Sequence, residues 1–104
     1  MDTTYGAEAV ELELYLMNDS AVHHAYYLPV AKNLQRKWLK GVYDLDLGIK
    51  GMRHAVDAAA RDYNREHGSM TTAWYQVFSV SDRNRVAETL CLALVAEWRL
   101  DNML

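Results

Sequence analysis

Four histidines are the first residues whose chemistry could matter, because imidazole is both a common metal ligand and a proton carrier near neutral pH. His23 and His24 are adjacent. On a helix, neighbouring side chains point about 100° apart, so these two rings diverge rather than converge on one ion. His54 and His67 have no second ligand four residues away, and the single cysteine, Cys91, leaves no thiolate pair. Neither a metal nor a cofactor is expected. Nucleophilic catalysis has no better footing: Ser20, Ser69, Ser79 and Ser81 read as turn or capping residues, without a nucleophile elbow or a Cys–His setting. Glu11 and Glu13 belong to an exposed amphipathic pattern. Gly48-x-x-Gly51 lacks the lysine of a phosphate loop and follows no strand. The expectation is a protein that is not an enzyme, with no catalytic residues.

Binding chemistry has more support. Residues 21–40 hold four Lys/Arg and no acid, whereas residues 1–20 hold five Asp/Glu and no base. Lys32, Arg36 and Lys40 recur at i,i+4 spacing with Lys37 beside them, so one helical strip could contact phosphates or an acidic partner. The same strip could instead be a solvated face, or pair with Glu8, Glu11 and Asp19. Surface pairs of that kind contribute only ~0–1 kcal/mol each, so stability alone gives weak reason for the clustering. Of eleven aromatic residues, those at 26, 38, 63, 78 and 98 follow helical faces and are expected in the core. Tyr27, Tyr43, Trp74 and Tyr75 do not, and join Lys32, Arg36, Lys37 and Lys40 as candidate partner-binding residues.

The elements that must position these residues are helical. Leu45, Ile49, Met52, Val56, Ala59/Ala60 and Tyr63 form an apolar stripe opposite Lys50, Arg53, Asp57, Arg61 and Arg65. Asp44 as N-cap and Gly68 as C′ residue bound this helix at about 45–67, with Asp46–Lys50 and Asp57–Arg61 as i,i+4 pairs. Gly48 and Gly51 each cost roughly 1 kcal/mol against alanine there, which suggests close packing of a neighbour. A second helix, about 82–100, follows Ser79 or Ser81 as cap and places Val86, Ala87, Leu90, Cys91, Leu94 and Trp98 on its main face. Leu92, Val95 and Ala96 make it apolar all round, so it is expected at the centre with Cys91 inert inside. Val22, Tyr26, Val30, Leu34 and Trp38 recur every fourth residue across Pro29. That stripe predicts one helix, about 19–40, kinked near Ala25; a break at Pro29 is the other outcome. Val10, Leu12, Leu14 and Leu16 alternate like a strand, but with nothing to pair with they are read as helix, a strand across a dimer being the alternative. Thr72 to Phe78 adds a short helix. The fold class is all-α: a single domain, 1–104, built as a compact bundle of three main helices with an N-terminal and a short additional helix.

Composition limits the functional classes. A net charge of −3 disfavours indiscriminate nucleic-acid binding, yet is too small for a DNA mimic. One cysteine excludes an internal disulfide. The start, MDTTYGAEAVE, lacks the basic and apolar character of a secretion leader, and no run approaches the ~20 apolar residues of a membrane span. A soluble, cytoplasmic protein is expected.

Glu11-Leu12, Leu14-Tyr15, Asn18-Asp19, Pro29, Asn33-Leu34, Lys37 and Gly41-x-Tyr43-Asp44, followed by Arg85-x-Ala87, give a pattern that resembles small uncharacterised proteins of tailed bacteriophages. The resemblance implies action in a bacterial host cytoplasm and carries over no site residues. It favours an accessory protein that binds one host or phage protein, inhibition of a host defence complex in the manner of anti-CRISPR proteins being one form. The alternatives are a nucleic-acid-binding accessory protein using residues 32–40, or a structural subunit of a virion or replication assembly. Self-association as a two-fold dimer is also expected, from the aromatic and methionine excess and an apolar 10–17 segment without an evident partner.

Overall fold

The computed structural model of the chain describes residues 6–67 and 74–103. It is an all-α bundle, as the periodicity predicts, and among the described residues it contains no strand. Helix α1 spans Ala7–Asn18. Asp19 then leaves the helix in an extended conformation, and its Oδ1 accepts from the Val22 N–H at 3.1 Å, capping α2, Ser20–Val22. The chain continues through a π-helical turn, His23–Tyr27, into α3, Leu28–Leu39. Helix α4 is Leu45–His67, α5 is Trp74–Val77 and α6 is Val80–Met103. Gly68, Ser69 and the first residues of the predicted 72–78 helix lie outside the described residues.

The 10–17 segment is helix, and its partner lies within the chain. Ala9, Leu12 and Leu16 are buried against α4 and α6, while Val10 and Leu14 face outward. The strand-like alternation therefore splits across two sides of one helix, and this segment no longer motivates a dimer.

Pro29 is accommodated without a break. The Leu28 N–H bonds the His23 carbonyl, five residues back, so one extra residue is wound into the turn just before the proline. That insertion supplies slack where Pro29 has no N–H to give and its ring crowds the preceding turn. It also corrects the predicted stripe. The inward face passes from Val22 to Tyr27, five residues on, and then to Ala31 and Leu34; Tyr26, Val30 and Trp38 are only half-buried.

Helix ends follow the local chemistry. Gly41 has φ +75°, its N–H bonds the Trp38 carbonyl at 3.0 Å, and the Val42 N–H bonds the Lys37 carbonyl at 2.9 Å. This paired closure needs the left-handed conformation that glycine adopts at least cost. Asp44 Oδ1 accepts from the Asp46 N–H at 2.9 Å and from the Leu47 N–H at 3.4 Å, starting α4. Ser79 Oγ accepts from the Asp82 N–H at 3.0 Å and starts α6.

The central helix is α4, not α6. α4 packs against α1, the π turn, α3, α5 and α6, because Gly48, Ala55, Ala59 and Ala60 let its neighbours approach closely. α6 buries Val86, Ala87, Leu90, Cys91, Leu94 and Trp98, the predicted face, but its back is open: Leu92 is 50% exposed and Ala96 is exposed too. An all-round apolar helix reports what could be covered, not what the chain covers.

Arg83 on α6 is the one charged residue buried among the described residues, at 5% exposure. Its Nε donates to the Phe78 carbonyl at 3.0 Å, and its second nitrogen, Nη1, donates to Asp57 Oδ1 on α4 at 2.9 Å. The guanidinium also lies 4.5 Å from the centroid of the Trp74 ring. Asp57 is thus paired with Arg83 and with Arg53, one turn earlier at 3.3 Å, rather than with Arg61, which sits over Trp74 instead.

Removing Asp57 by Asp57→Ala should lower unfolding free energy by about 3 kcal/mol, because it strands a buried cation. Arg83→Met should cost less, since Asp57 is partly solvated and keeps Arg53; urea denaturation of both variants checks the order. The glycines should separate as well. A Cβ at Gly48 would meet the Tyr43 Oη at 3.0 Å, whereas at Gly51 the nearest atom is Val30 Cγ1 at 3.9 Å. Gly51→Ala should stabilise by about 0.5–1 kcal/mol, while Gly48→Ala should destabilise by about 1 kcal/mol as the ring is displaced.

Candidate functional site

The region around Trp38 gathers aromatic rings from three parts of the chain. Trp38 comes from the last turns of α3, Tyr43 from the connection after the Gly41 turn, and Trp98 from α6. Their ring centroids lie 5.6–5.9 Å apart: Trp38–Trp98 at 5.6 Å, Tyr43–Trp98 at 5.8 Å and Trp38–Tyr43 at 5.9 Å. Two of the three pairs meet edge to face, the arrangement favoured by ring quadrupoles. Gly48 exists under this cluster to admit the Tyr43 ring. Beside it runs an open groove of about 270 Å³, walled by Trp38, Tyr43 and Leu45 on one side and by Leu92, Val95, Ala96 and Arg99 on the other. On the other flank of Trp38 a smaller hollow is lined by Leu39, Trp98 and Asp101 among others.

Lys32, Arg36 and Lys37 on α3 and Lys40 at its C-cap are exposed, and none of them forms an ion pair among the described residues. Arg36 reaches only its neighbour Asn33, at 3.4 Å. Of the structural alternatives, pairing with Glu8, Glu11 and Asp19 is not made among the described residues; α1 lies against α4 and α6 instead. Tyr43 joins the basic strip through Trp38. Tyr27 does not belong to a binding surface: the π turn rotates it inward to 7% exposure, where His23 stacks on it at 4.8 Å. Trp74 is half-buried over Arg83, with exposed Tyr75 edge-on at 5.9 Å. Along α4 the Trp74 contact at Arg61 is 13 residues from Gly48, roughly 20 Å, so Trp74 and Tyr75 sit away from the strip. The all-round apolar pattern of Leu92, Val95 and Ala96 predicts enclosure, so it does not single them out as groove residues, and Arg99 carries no sequence signal of its own.

The two adjacent histidines make local contacts. His23 and His24 have ring centroids 5.8 Å apart at 78°, and His24 Nδ1 lies 2.8 Å from the Ser20 carbonyl oxygen. No group of three or more potential metal ligands converges among the described residues. No helix among them is long and apolar enough to cross a membrane. Burial pushes the Cys91 thiol up to about 11, with Tyr43 opposing in part. Burial likewise pushes the Tyr43 phenol up to about 12, and its buried hydroxyl completes no well-shaped hydrogen bond among the described residues. A scan of protein-family models and searches of curated proteins and of solved structures give no match to the chain.

Folded Cys91 should resist a thiol reagent at pH 8 and react fully in denaturant. Because both shifts are upward, the neutral forms favour the folded chain. Their contribution is complete below the ordinary values, 9.0 for Cys91 and 10.0 for Tyr43, and is lost as pH rises through about 11 and about 12. Urea midpoints should therefore fall steadily above pH 9. Constant midpoints from pH 9 to 12 would contradict this burial.

Proposed function

We propose that this chain is a small non-enzymatic accessory protein that binds one host or phage protein in the bacterial cytoplasm. The resemblance to small tailed-phage proteins supports the setting, and interference with a host defence complex is one form the binding could take. The observation that carries the reading is the exposed end of the bundle where α3 turns into α4. Leu39 is 73% exposed and Val42 63%, and both lie beside Arg36, Lys37 and Lys40. Large apolar side chains left in water next to unpaired cations suit an acidic, partly apolar protein surface. The cations would speed association, and the two aliphatic side chains would be desolvated in the complex.

Four exposed cations on one helix also suit phosphate, which is the observation in favour of a nucleic-acid-binding accessory protein. Against it stand the net charge of −3 and the acids Asp44 and Asp46, just past the strip. A polyanion meets those carboxylates together with the cations, whereas a protein surface can match both signs.

The test compares the intact chain with a Leu39→Asp/Val42→Asp variant as bait in bacterial extract, with helicity checked by circular dichroism. The intact chain should retain a discrete protein that the folded variant loses; equal retention by both would sink this surface. Duplex DNA should not bind at physiological salt. A micromolar complex whose log–log salt slope is about −3 to −4, the range four phosphate contacts allow, would put the nucleic-acid reading first.

A further inference from the structure

The back of α6 carries an uncovered pattern that is complementary to itself. Away from the buried Val86, Ala87, Leu90, Cys91, Leu94 and Trp98 lie Glu88, Leu92, Ala96 and Arg99, with Val95 at the edge of this face and packed partly against the core. Glu88, Leu92, Ala96 and Arg99 are exposed, and Val95 is half-buried. Glu88 and Arg99 are eleven residues apart, three helical turns, so they share a face about 16 Å apart along the axis. Leu92 and Val95 lie between them. The midpoint of Glu88 and Arg99 is also the midpoint of Leu92 and Val95, since both pairs are centred between residues 93 and 94. One two-fold axis through that point therefore sets Glu88 against Arg99 twice and Leu92 against Val95 twice. A heterologous contact would need the match once; an isologous one needs it in both directions, and this face provides both.

We propose that a second copy of this chain docks on the back of α6, the two helices antiparallel about an axis between residues 93 and 94. Leu92 and Val95 of the two copies form the dry centre, reciprocal Glu88–Arg99 ion pairs close each end, and Ala96 allows close approach. The groove beside α6 extends the apolar contact to Leu45 and Tyr43, which a helix laid on Leu92 and Ala96 would also cover. Leu39 lines the hollow on the other flank of Trp38, and none of the four cations lines the groove beside α6, so both remain available to a different partner. The dimer does not depend on what that partner is.

Charge-swap variants of the full chain, followed by sedimentation equilibrium at micromolar concentration and physiological salt, test the register. The intact chain should sediment at twice 11.9 kDa. Glu88→Arg alone and Arg99→Glu alone each place like charges opposite one another at both ends, and should weaken association about tenfold or more. Both substitutions together restore opposite charges and should return the dimer to within a few-fold of the intact chain. All three variants change exposed positions, so unchanged helicity by circular dichroism separates lost association from lost folding. An intact chain that stays monomeric would overturn the proposal and leave the α6 groove to a different protein. Association that survives the single reversals, or that the double swap fails to restore, would overturn it equally.

Discussion

A guanidinium taken out of water must find its partners inside the fold, and the position of Arg83 organises much of this chain around that requirement. Its Nε fixes the Phe78 carbonyl, its Nη1 fixes Asp57 on α4, and its face packs on Trp74. The three contacts tie α6 to the central helix and to the segment that leads into α6. Phe78, which is almost wholly buried, is held in place by the same chain segment, and its ring meets Tyr63 on α4 edge to face at 5.3 Å. A buried ion pair is weak evidence for stability against an apolar substitute. Its effect here is positional, because an aliphatic residue at 83 could not specify where residues 74–79 run.

The second constraint is Pro29, and its effect reaches the surface. One extra residue in the His23–Tyr27 turn rotates everything upstream by about one position relative to α3. Tyr27 thereby becomes core while Tyr26 moves towards the edge. α3 then enters with Ala31 and Leu34 inward, which leaves Lys32, Arg36, Lys37 and Lys40 all outward and brings Trp38 to the α6 edge. A proline with no compensating insertion would set these two faces in a different relation.

Much of the architecture could be read from residue types because helix ends depend on local chemistry. Asp44, Ser79 and Gly41 act within four residues of themselves, and α4 and the main face of α6 follow directly from their spacing. Three things lay beyond that reading. The π insertion leaves no compositional mark, so a regular four-residue stripe put Tyr26 where Tyr27 belongs. Periodicity says which face of a helix is apolar but not whether another element covers it, so the back of α6 read as interior. The central place went to α6 for its hydrophobicity, while the structure gives it to α4, whose small side chains admit more neighbours. Of the candidate binding residues, Lys32, Arg36, Lys37, Lys40 and Tyr75 lie exposed, and none of the four cations is ion-paired among the described residues.

Small side chains at the centre and large ones left at the edges are two aspects of the same packing. Gly48, Ala55, Ala59 and Ala60 bring helices close to α4, so the core closes with modest volume and does not reach around the back of α6. The aliphatic residues that a thicker bundle would have buried, Leu92, Leu39 and Val42, stay in contact with solvent at 50%, 73% and 63% exposure. Meanwhile several polar residues have structural roles: Ser79 and Asp44 cap helices, Cys91 lies in the interior, Asp57 pairs with Arg83, and Tyr43 fills the place that Gly48 makes for it. What the fold leaves unspent is apolar area and a few charges.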